Sequence, residues 1–463
     1  QFGLNDEDTE TVKRVYSHFK KFKFKHTYLD FDDILYYFVQ EAANNSLKFA
    51  WVIMDESQDL SSIQHQLANT LTDKNCLFIG DPKQSIFAWR GASPFLFDKK
   101  ISEADKVFTL SENYRSTKNI ITFANALVER HDKYRGQNLK ATKGELNTVE
   151  LNVCRSQLDV LTSNVRQDLR KYPLNEIAIL GRSVKGVLSQ QFQLWLRQNK
   201  IPYVVRGGLD FMRLDYVQKY MATIKSLVSP TLASVHQAIE CVYGIGNVYA
   251  NKVAPALVQR NVNQARGLNL PKNVDSKALN LFYDLYSNTS TSAILDNGLH
   301  FLRVAYLSQK YQNSEDRESK VERIEKYLIP FLQESKSLKQ GINDLTLTNS
   351  SDHEEKNAVI ISTIHQAKGL EFGSVHIINF QDGSMPNVKS ADLHEEWCLA
   401  YTAITRAKTS LRLYQDGAAD QSPFLTGVND NDNFYTRKEF GVQTVDDYDF
   451  EEDDDANANG IRI

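Results

Sequence analysis

Cysteine is scarce in this 463-residue chain: the four present, Cys76, Cys154, Cys241 and Cys398, are scattered and form no Cys-x-x-Cys pair. Neither a disulfide framework nor a zinc or iron–sulfur cluster is suggested, and a reducing compartment fits, the cytoplasm or, in a eukaryote, the nucleus. No apolar run approaches the length of a membrane span, and no secretory signal precedes the first domain, so no membrane is expected as a partner. One absence outweighs these. Nowhere is Gly followed by Lys, so the glycine-rich loop that cradles a nucleotide's phosphates is missing, with its Lys and its metal-binding hydroxyl. The first residue is Gln1, not Met; the simplest expectation is that it lies inside a longer gene product, the alternative being a protein naturally without the loop.

A basic excess is also lacking. The formal charge is −4, but Asp446 to Ile463 alone carries eight acids and one Arg, which leaves +3 on the rest. A basic groove for nucleic acid therefore stays open. A chain of this length buries several cores, and two to four domains are expected.

What is present is concentrated between Trp51 and Ala92. Trp51–Met54 is an apolar run of the kind a buried parallel strand shows, and Asp55 and Glu56 follow at once. Open α/β sheets bind ligands beyond the carboxyl ends of their strands. Of two adjacent carboxylates there, one can hold Mg²⁺ and the other can orient or deprotonate a water, as nucleoside-triphosphate hydrolysis requires. Leu77–Gly80 repeats the pattern, ending in Asp81 with Gln84 just beyond, and a helix over Ile63–Leu71 is expected to join the two strands. A lone Asp-Glu pair is usually solvated surface; two such strand ends in tandem are stronger.

Five segments carry a resemblance. DESQD with GDPKQSIFAWRGA is similar to motifs II and III of the UvrD/Rep-like DNA helicases of superfamily 1A. LSENYRST (Leu110–Thr117) resembles motif IV of that family, ISTIHQAKGLEF (Ile361–Phe372) motif V, and LAYTAITRA (Leu399–Ala407) motif VI. The order is the family's, and the resemblance runs from about Asp30 to Leu425. It implies an α/β fold of two RecA-like parallel-sheet motor domains, the first incomplete, with an all-helical insertion in the second. The expected boundaries are 1–108 for the first motor domain, 109–212 and 351–428 for the second, 213–350 for the insertion, and 429–463 for an acidic disordered tail. That tail is either a solubilising end or a segment that binds a basic partner or competes with DNA.

The resemblance also implies an activity: ATP-dependent 3′–5′ translocation on single-stranded DNA and unwinding at single/double-strand junctions, with ATP and Mg²⁺ as cofactors. Asp55 would hold Mg²⁺, Glu56 activate water and Gln84 sense the γ-phosphate. Arg115 and Arg406 would stabilise its transfer. Tyr114 would pack on the adenine and Glu371 face the ribose. Phe87 and Trp89, with Arg90, would form a platform on which bases stack; the alternative is that both rings are core. Arg182 stands at a strand end similar to motif IVa, and Thr363 and His365 would face DNA. Gly244-Ile245-Gly246 resembles a helix-hairpin-helix turn whose N–H groups bind phosphate, and a plain helix C-cap explains its glycines equally well. LDFDDIL (Leu29–Leu35) is expected to cap and pack a helix beneath the first strand. Where relatives often carry two basic residues before Leu-Ala-Tyr, this chain has Trp397 and Cys398. A different class remains in view, a non-catalytic DNA-binding or interaction protein on a helicase scaffold.

Overall fold

The computed structural model describes residues 6–147, 149–286, 290–307, 314–347, 357–390, 392–426, 428 and 434–441. They fall into two compact units, Gln1–Leu110 with Asp392–Tyr401, and Ser111–Ala391 with Thr402–Ile463.

In the first unit, helix α1 (Asp6–His26) is followed by α2 (Phe31–Asn44). Asp30 caps α2 in a reciprocal capping box with Asp33, and Lys23 pairs with both carboxylates at 2.5 and 2.6 Å. Strands β1 (Phe49–Met54) and β2 (Thr72–Phe78) pair in parallel, with Val52 opposite Cys76 and Met54 opposite Phe78, and α3 (Ser62–Leu71) crosses between them. The parallel strand expected at Trp51–Met54 is present, but it is not buried: Trp51 and Ile53 are 63% and 62% exposed. Leu77 and Ile79 are exposed as well. A parallel strand becomes buried when neighbours flank it and helices cover both faces. Among the described residues this sheet has two strands. Helix α4 (Pro94–Glu103) buries Phe97 against the remainder of the unit.

The second unit opens with a short parallel pair, β3 (Glu112–Asn113) and β4 (Lys140–Ala141), flanking α5 (Lys118–Val128). Then follow β5 (Val149–Cys154), α6 (Gln157–Asp168), β6 (Ile177–Gly181), α7 (Val187–Gln198) and β7 (Tyr203–Arg206). After a helical excursion the chain returns as β8 (Val359–Thr363), β9 (Phe372–Ile377), β10 (Ala407–Asp416) and β11 (Tyr435–Phe440). The sheet order is β11-β5-β10-β9-β6-β8-β7, with every pairing parallel. Every residue of β6 and β9 is buried, as a covered parallel sheet demands. The excursion, from Asp215–Val228 to Leu338–Leu347, contains no strand among the described residues and has its own core, which includes Tyr220, Phe282, Leu302 and Leu332.

Buried Arg197 ties the ends of that excursion together. Its Nη2 donates to both Asp210 oxygens at 3.0 Å and its Nε to the Tyr203 hydroxyl at 2.7 Å; Nη1 reaches the Leu345 carbonyl at 3.1 Å. Asp210 precedes the first helix of the excursion and Leu345 lies in its last. A second buried network lies between α6 and the sheet. The Asn164 amide donates to the Tyr414 hydroxyl, which lies 2.8 Å from His376 Nδ1, while His376 Nε2 lies 2.9 Å from Asp168. Arg412 and Ser374 also donate to Asp168. Burial and the hydrogen bonds oppose one another at Asp168, and the bonds from His376 and Ser374 with the Arg412 charge hold its carboxyl down at about 2. Burial, helped by the Arg412 charge, lowers the His376 pKa against the opposing pull of Asp168, so the ring stays neutral, and a neutral ring donating from Nε2 satisfies both neighbours.

A further expectation is corrected: the segment 429–463, expected as a disordered tail, contains a strand, since Tyr435–Phe440 pairs with β5, and Tyr435 is buried, stacked on Phe123 at 5.6 Å. An average over a mostly acidic stretch hides a six-residue strand with Tyr, Thr and Phe. The remaining acidic segment, 442–463, lies outside the described residues. Asp392–Tyr401 belongs to the first compact unit. There Glu395 accepts from the Ala88 N–H at 3.2 Å, and the Cys398 thiol lies 3.8 Å from the Pro82 carbonyl.

Candidate nucleotide and nucleic-acid sites

At the end of β1 the chain turns sharply. Glu56 adopts a left-handed φ of 50°, and its N–H donates to the Asp55 carboxylate at 2.8 Å. Ser57 then closes onto the neighbouring strand end, its N–H donating to the Ile79 carbonyl at 2.8 Å. The residue that locks this corner is Gln58, 1% exposed. Its amide N–H donates to Glu56 at 2.6 Å, and its amide oxygen accepts from the Asp81 N–H at 3.1 Å. Asp81 in turn accepts from the Gln84 side chain at 3.0 Å and from the Lys83 N–H at 3.1 Å. Glu56 and Gln84 are thus joined through Gln58 and Asp81. Gly80 leaves room for this: a Cβ there would stand 2.4 Å from the Gln58 amide oxygen and 3.1 Å from the Ser57 nitrogen.

Sequence reasoning gave Gln58 and Gly80 no role. Both stand within the segments that carry the resemblance, but nothing in one dimension shows that the amide is buried between two strand ends. Asp55 and Glu56 remain exposed, and Asp55 has no cation partner among the described residues. An exposed carboxylate beyond a strand end is a donor that suits a hydrated Mg²⁺, which keeps several waters and takes one or two carboxylates. Among the described residues no group of three or more His, Cys, Asp or Glu forms a closed metal cage.

Beyond Gln84 the chain makes a short turn around Ala88–Arg90, ended by Gly91 at a φ of 85°. Trp89 is 66% exposed, so it is not a core residue, while Phe87 is half-buried. Their rings are 6.4 Å apart, and the Arg90 guanidinium sits 5.5 Å from one and 5.6 Å from the other. Two rings and a cation form one surface.

In the second unit Asn113 shapes the turn that bears Tyr114 and Arg115, its amide oxygen accepting from the N–H groups of Arg115 and Ser116 at 3.0 and 2.9 Å. Tyr114 is exposed, its hydroxyl bonded to Glu112, which raises its pKa. Arg115 Nε donates to Glu371 at 2.7 Å and Nη1 to the Thr405 carbonyl at 3.3 Å. The hydrogen bond from Arg115 holds the Glu371 carboxyl below the usual range. This ion pair joins two residues that the sequence placed on different parts of a nucleotide. Arg406 is 2% exposed, its guanidinium donating to the carbonyls of Thr402 and Leu370 at 3.0 and 3.1 Å and to the Thr405 hydroxyl at 3.2 Å. It is brought within one residue of the Arg115–Glu371 pair, but is turned inward.

The carboxyl ends of β6, β8 and β7 gather the second set. Gly181 pairs with Thr363, which places Arg182 beside the turn that holds Thr363 and His365. Thr363 caps the short helix Ile364–Ala367. Gly207, at a φ of 78°, lies so close that a Cβ would stand 2.3 Å from the Thr363 hydroxyl. In the helical excursion Gly244 has a φ of 83° and packs on backbone, with a Cβ meeting the Asn273 carbonyl at 2.5 Å. Tight packing accounts for Gly244. Gly246, open to solvent at the N-terminus of Asn247–Val258, has no such constraint.

Comparison with known proteins bears on the family of this chain. The UvrD/REP helicase N-terminal domain family matches residues 2–105, and the UvrD-like helicase C-terminal domain family matches 108–260 and 247–415. The chain belongs to the UvrD/Rep-like helicases. It is 28% identical to "ATP-dependent DNA helicase PcrA" of Staphylococcus epidermidis over 460 residues, covering 89% of this chain and 62% of that protein. PcrA of Staphylococcus aureus strain Mu50 matches with the same identity and coverage. The chain therefore spans 62% of the length of these relatives. A solved C-terminal domain of a possible DNA helicase from Lactobacillus plantarum WCFS1 is 15% identical, with a TM-score of 0.25, over 70% of this chain and 98% of its own, a likeness too slight to bear on the fold. The family assignment accounts for the mixed helix–strand architecture and for the seven-stranded parallel sheet. No described helix is long and apolar enough to cross a membrane.

Proposed function

We propose that this chain is part of an ATP-driven 3′–5′ translocase on single-stranded DNA that separates strands at junctions, in repair, recombination or replication. The observation that carries this reading is the locked corner at β1 and β2, where Gln58 holds Glu56 and the Asp81–Gln84 turn as one unit. ATP with Mg²⁺, when bound, supplies the phosphoanhydride bond and a charge for Asp55 to hold. Glu56, already hydrogen-bonded and fixed in direction, orients a water and takes its proton, and Gln84 donates to phosphate oxygen. Arg115 and Arg406 stabilise charge on the transferring phosphoryl; Arg406 must leave three acceptors to do so. Trp89 and Phe87 stack bases, and Arg182, Thr363 and His365 contact the strand.

On this reading a phosphate cradle is supplied from outside these 463 residues, among which no Gly-Lys occurs, the alternative being a protein naturally without the loop. The exposed β1 and β2, with Trp51, Ile53 and Leu77, provide a sheet that further parallel strands would cover. This chain alone is expected to hydrolyse ATP negligibly with or without oligothymidine. Turnover of about 1 per second or more, the range of working enzymes, would refute the missing cradle. In the full-length protein Glu56→Gln should lower DNA-stimulated hydrolysis by about 10²–10⁴-fold and keep DNA binding. Undiminished hydrolysis would remove Glu56 from the role of base, and DNA binding without any DNA-stimulated hydrolysis in the unaltered full-length protein would favour the rival reading, a DNA-binding scaffold.

A further inference from the structure

Between α6 and Trp195 of α7 lies an open groove of about 500 Å³, and none of its lining residues is named above for nucleotide or DNA. It is lined by Asp159, Thr162, Ser163, Arg166, Arg170 and Trp195, with Gln167 between. The Arg166 guanidinium stacks on Trp195 at 5.4 Å, and Trp195 is itself stacked on Phe192 at 5.4 Å. The aromatic floor is therefore held rigid from below. Neither Arg166 nor Arg170 has a carboxylate partner among the described residues, and the lining holds one acid, Asp159, a turn nearer the start of α6. Two open guanidiniums beside an indole form a receptor for carboxylates with aromatic side chains between them.

Such a segment belongs to this chain. Asp446–Asp455 reads DDYDFEEDDD, eight acids interleaved with Tyr448 and Phe450. The structure also shows where that segment departs. The Arg155 N–H donates to the Phe440 carbonyl at 3.0 Å, and Gly441, at a φ of 65°, lies against Arg155, two residues before α6 begins. From Gly441 to Asp446 is five residues, up to about 17 Å of extended chain. Arg166 lies nine residues, about 14 Å, along α6 from its start. The groove thus begins beside the point where the tail leaves.

We infer that the acidic segment Asp446–Asp455 docks in the Arg166–Arg170–Trp195 groove of its own chain, its carboxylates on the two arginines and an aromatic ring against the indole. Tethering makes the effective concentration of the segment on the order of millimolar, so an intrinsic Kd near 100 µM suffices for occupancy of about 90%. Docking takes the tail's negative charge out of reach of a nucleic-acid strand and gives the groove a ligand that a basic partner protein can remove.

The test uses the full 463-residue chain in which the eight tail acids are changed to the matching amides, which leaves the groove free. A labelled peptide spanning residues 444–457 should bind this variant, by fluorescence anisotropy, with a Kd of tens to hundreds of micromolar. The unaltered chain, its groove occupied, should bind the same peptide about tenfold more weakly. Arg166→Glu with Arg170→Glu in the amide background should weaken binding tenfold or more, and Arg166→Gln with Arg170→Gln should do so without reversing charge. Melting curves for both pairs should stay within a few degrees of the parent, since the side chains are at the surface. Peptide binding unaltered by the arginine changes, or equal in the amide and natural chains, overturns the inference. So does the discovery that the arginine changes weaken oligothymidine instead, which would make the groove a nucleic-acid contact.

Discussion

Gln58 and Gly80 permit a double-mutant test of the locked corner. Gln58→Ala removes a hydrogen bond to the Glu56 carboxylate and the acceptor of the Asp81 N–H. A bond to a charged group contributes about 1.5–3 kcal/mol, and a buried N–H left without a partner costs about 1–3 kcal/mol. Part of each is recovered by water entering the vacated space, so a loss of about 2–4 kcal/mol is expected. Gly80→Ala places a methyl 2.4 Å from the Gln58 oxygen, with the Ser57 nitrogen and the Phe97 ring at 3.1 Å. Overpacking of this kind costs about 1–3 kcal/mol. The worst contact of the second change is the group deleted by the first, so the double variant should be more stable than the sum of the singles predicts by about 1 kcal/mol or more. Urea unfolding followed by the fluorescence of Trp51 and Trp89, both in the first unit, reads this out. Strict additivity would mean that Gln58 turns away from Gly80, and the corner described above would be wrong.

Trp89→Ala should leave the melting temperature nearly unchanged, because the ring is exposed, while weakening oligothymidine binding by about 1–3 kcal/mol with little change in its salt slope. A large stability loss with unaltered DNA affinity would assign the ring to packing. Arg406→Ala should destabilise the second unit by about 2–4 kcal/mol, because two carbonyls and a hydroxyl lose a buried donor; a melting temperature equal to the parent's would refute its inward placement. The Asp168–His376 network should make the second unit acid-sensitive. His376 titrates below its ordinary 6.5 and Asp168 at about 2, both depressed in the fold, so each contributes stability that is complete above its unfolded pKa and is lost as pH falls. Stability should decline first below about pH 6.5 and again below about pH 4, with Asp168 accounting for roughly 2 kcal/mol. Asp168→Asn should flatten the lower step, and an unchanged profile would exclude the network as its source.

Much of this was legible from residue types because the relevant signals are local. The carboxylates after an apolar run, the polar residues after the next, and the helix between them all follow from short stretches of chain, and the structure places them at adjacent parallel strand ends. The cap expected within Leu29–Leu35 followed the same logic and is the Asp30–Asp33 box, while the Lys23 pairs with both carboxylates were not foreseen. What was not legible depends on partners distant in sequence. Apolar identity marked Trp51 and Ile53 as strand residues but could not tell whether a neighbouring layer covers them. β11 was hidden because its register is fixed by β5, nearly three hundred residues earlier, within a segment whose average is acidic. Gln58 was silent for a related reason: a glutamine between two acids reads as surface until the second strand end closes over it. The Arg115–Glu371 pair crosses more than two hundred and fifty positions and joins residues that motif reasoning had given separate tasks.

Under the proposed function, that pair would link the nucleotide and DNA residues of the second unit. Thr363 and Glu371 are joined by seven residues, and little of that connection is free to stretch. Thr363 is fixed at the end of β8 and caps the helix Ile364–Ala367. Gly369 turns the chain at a φ of 82°, and the Leu370 carbonyl is held by Arg406. Glu371 is bonded to Arg115, and Phe372 begins β9 with its N–H donating to the Arg406 carbonyl. A displacement of Arg115 therefore acts on one end of a short, internally bonded segment whose other end carries Thr363 and His365. Interfaces packed this closely shift between discrete arrangements rather than bending by degrees. If a phosphate draws Arg115 away from Glu371, the carboxylate left behind loses its cation, and the segment gains a reason to move. Under the proposed function, the ion pair would be the resting arrangement of this segment, and its rupture the event that the strand-end residues would sense.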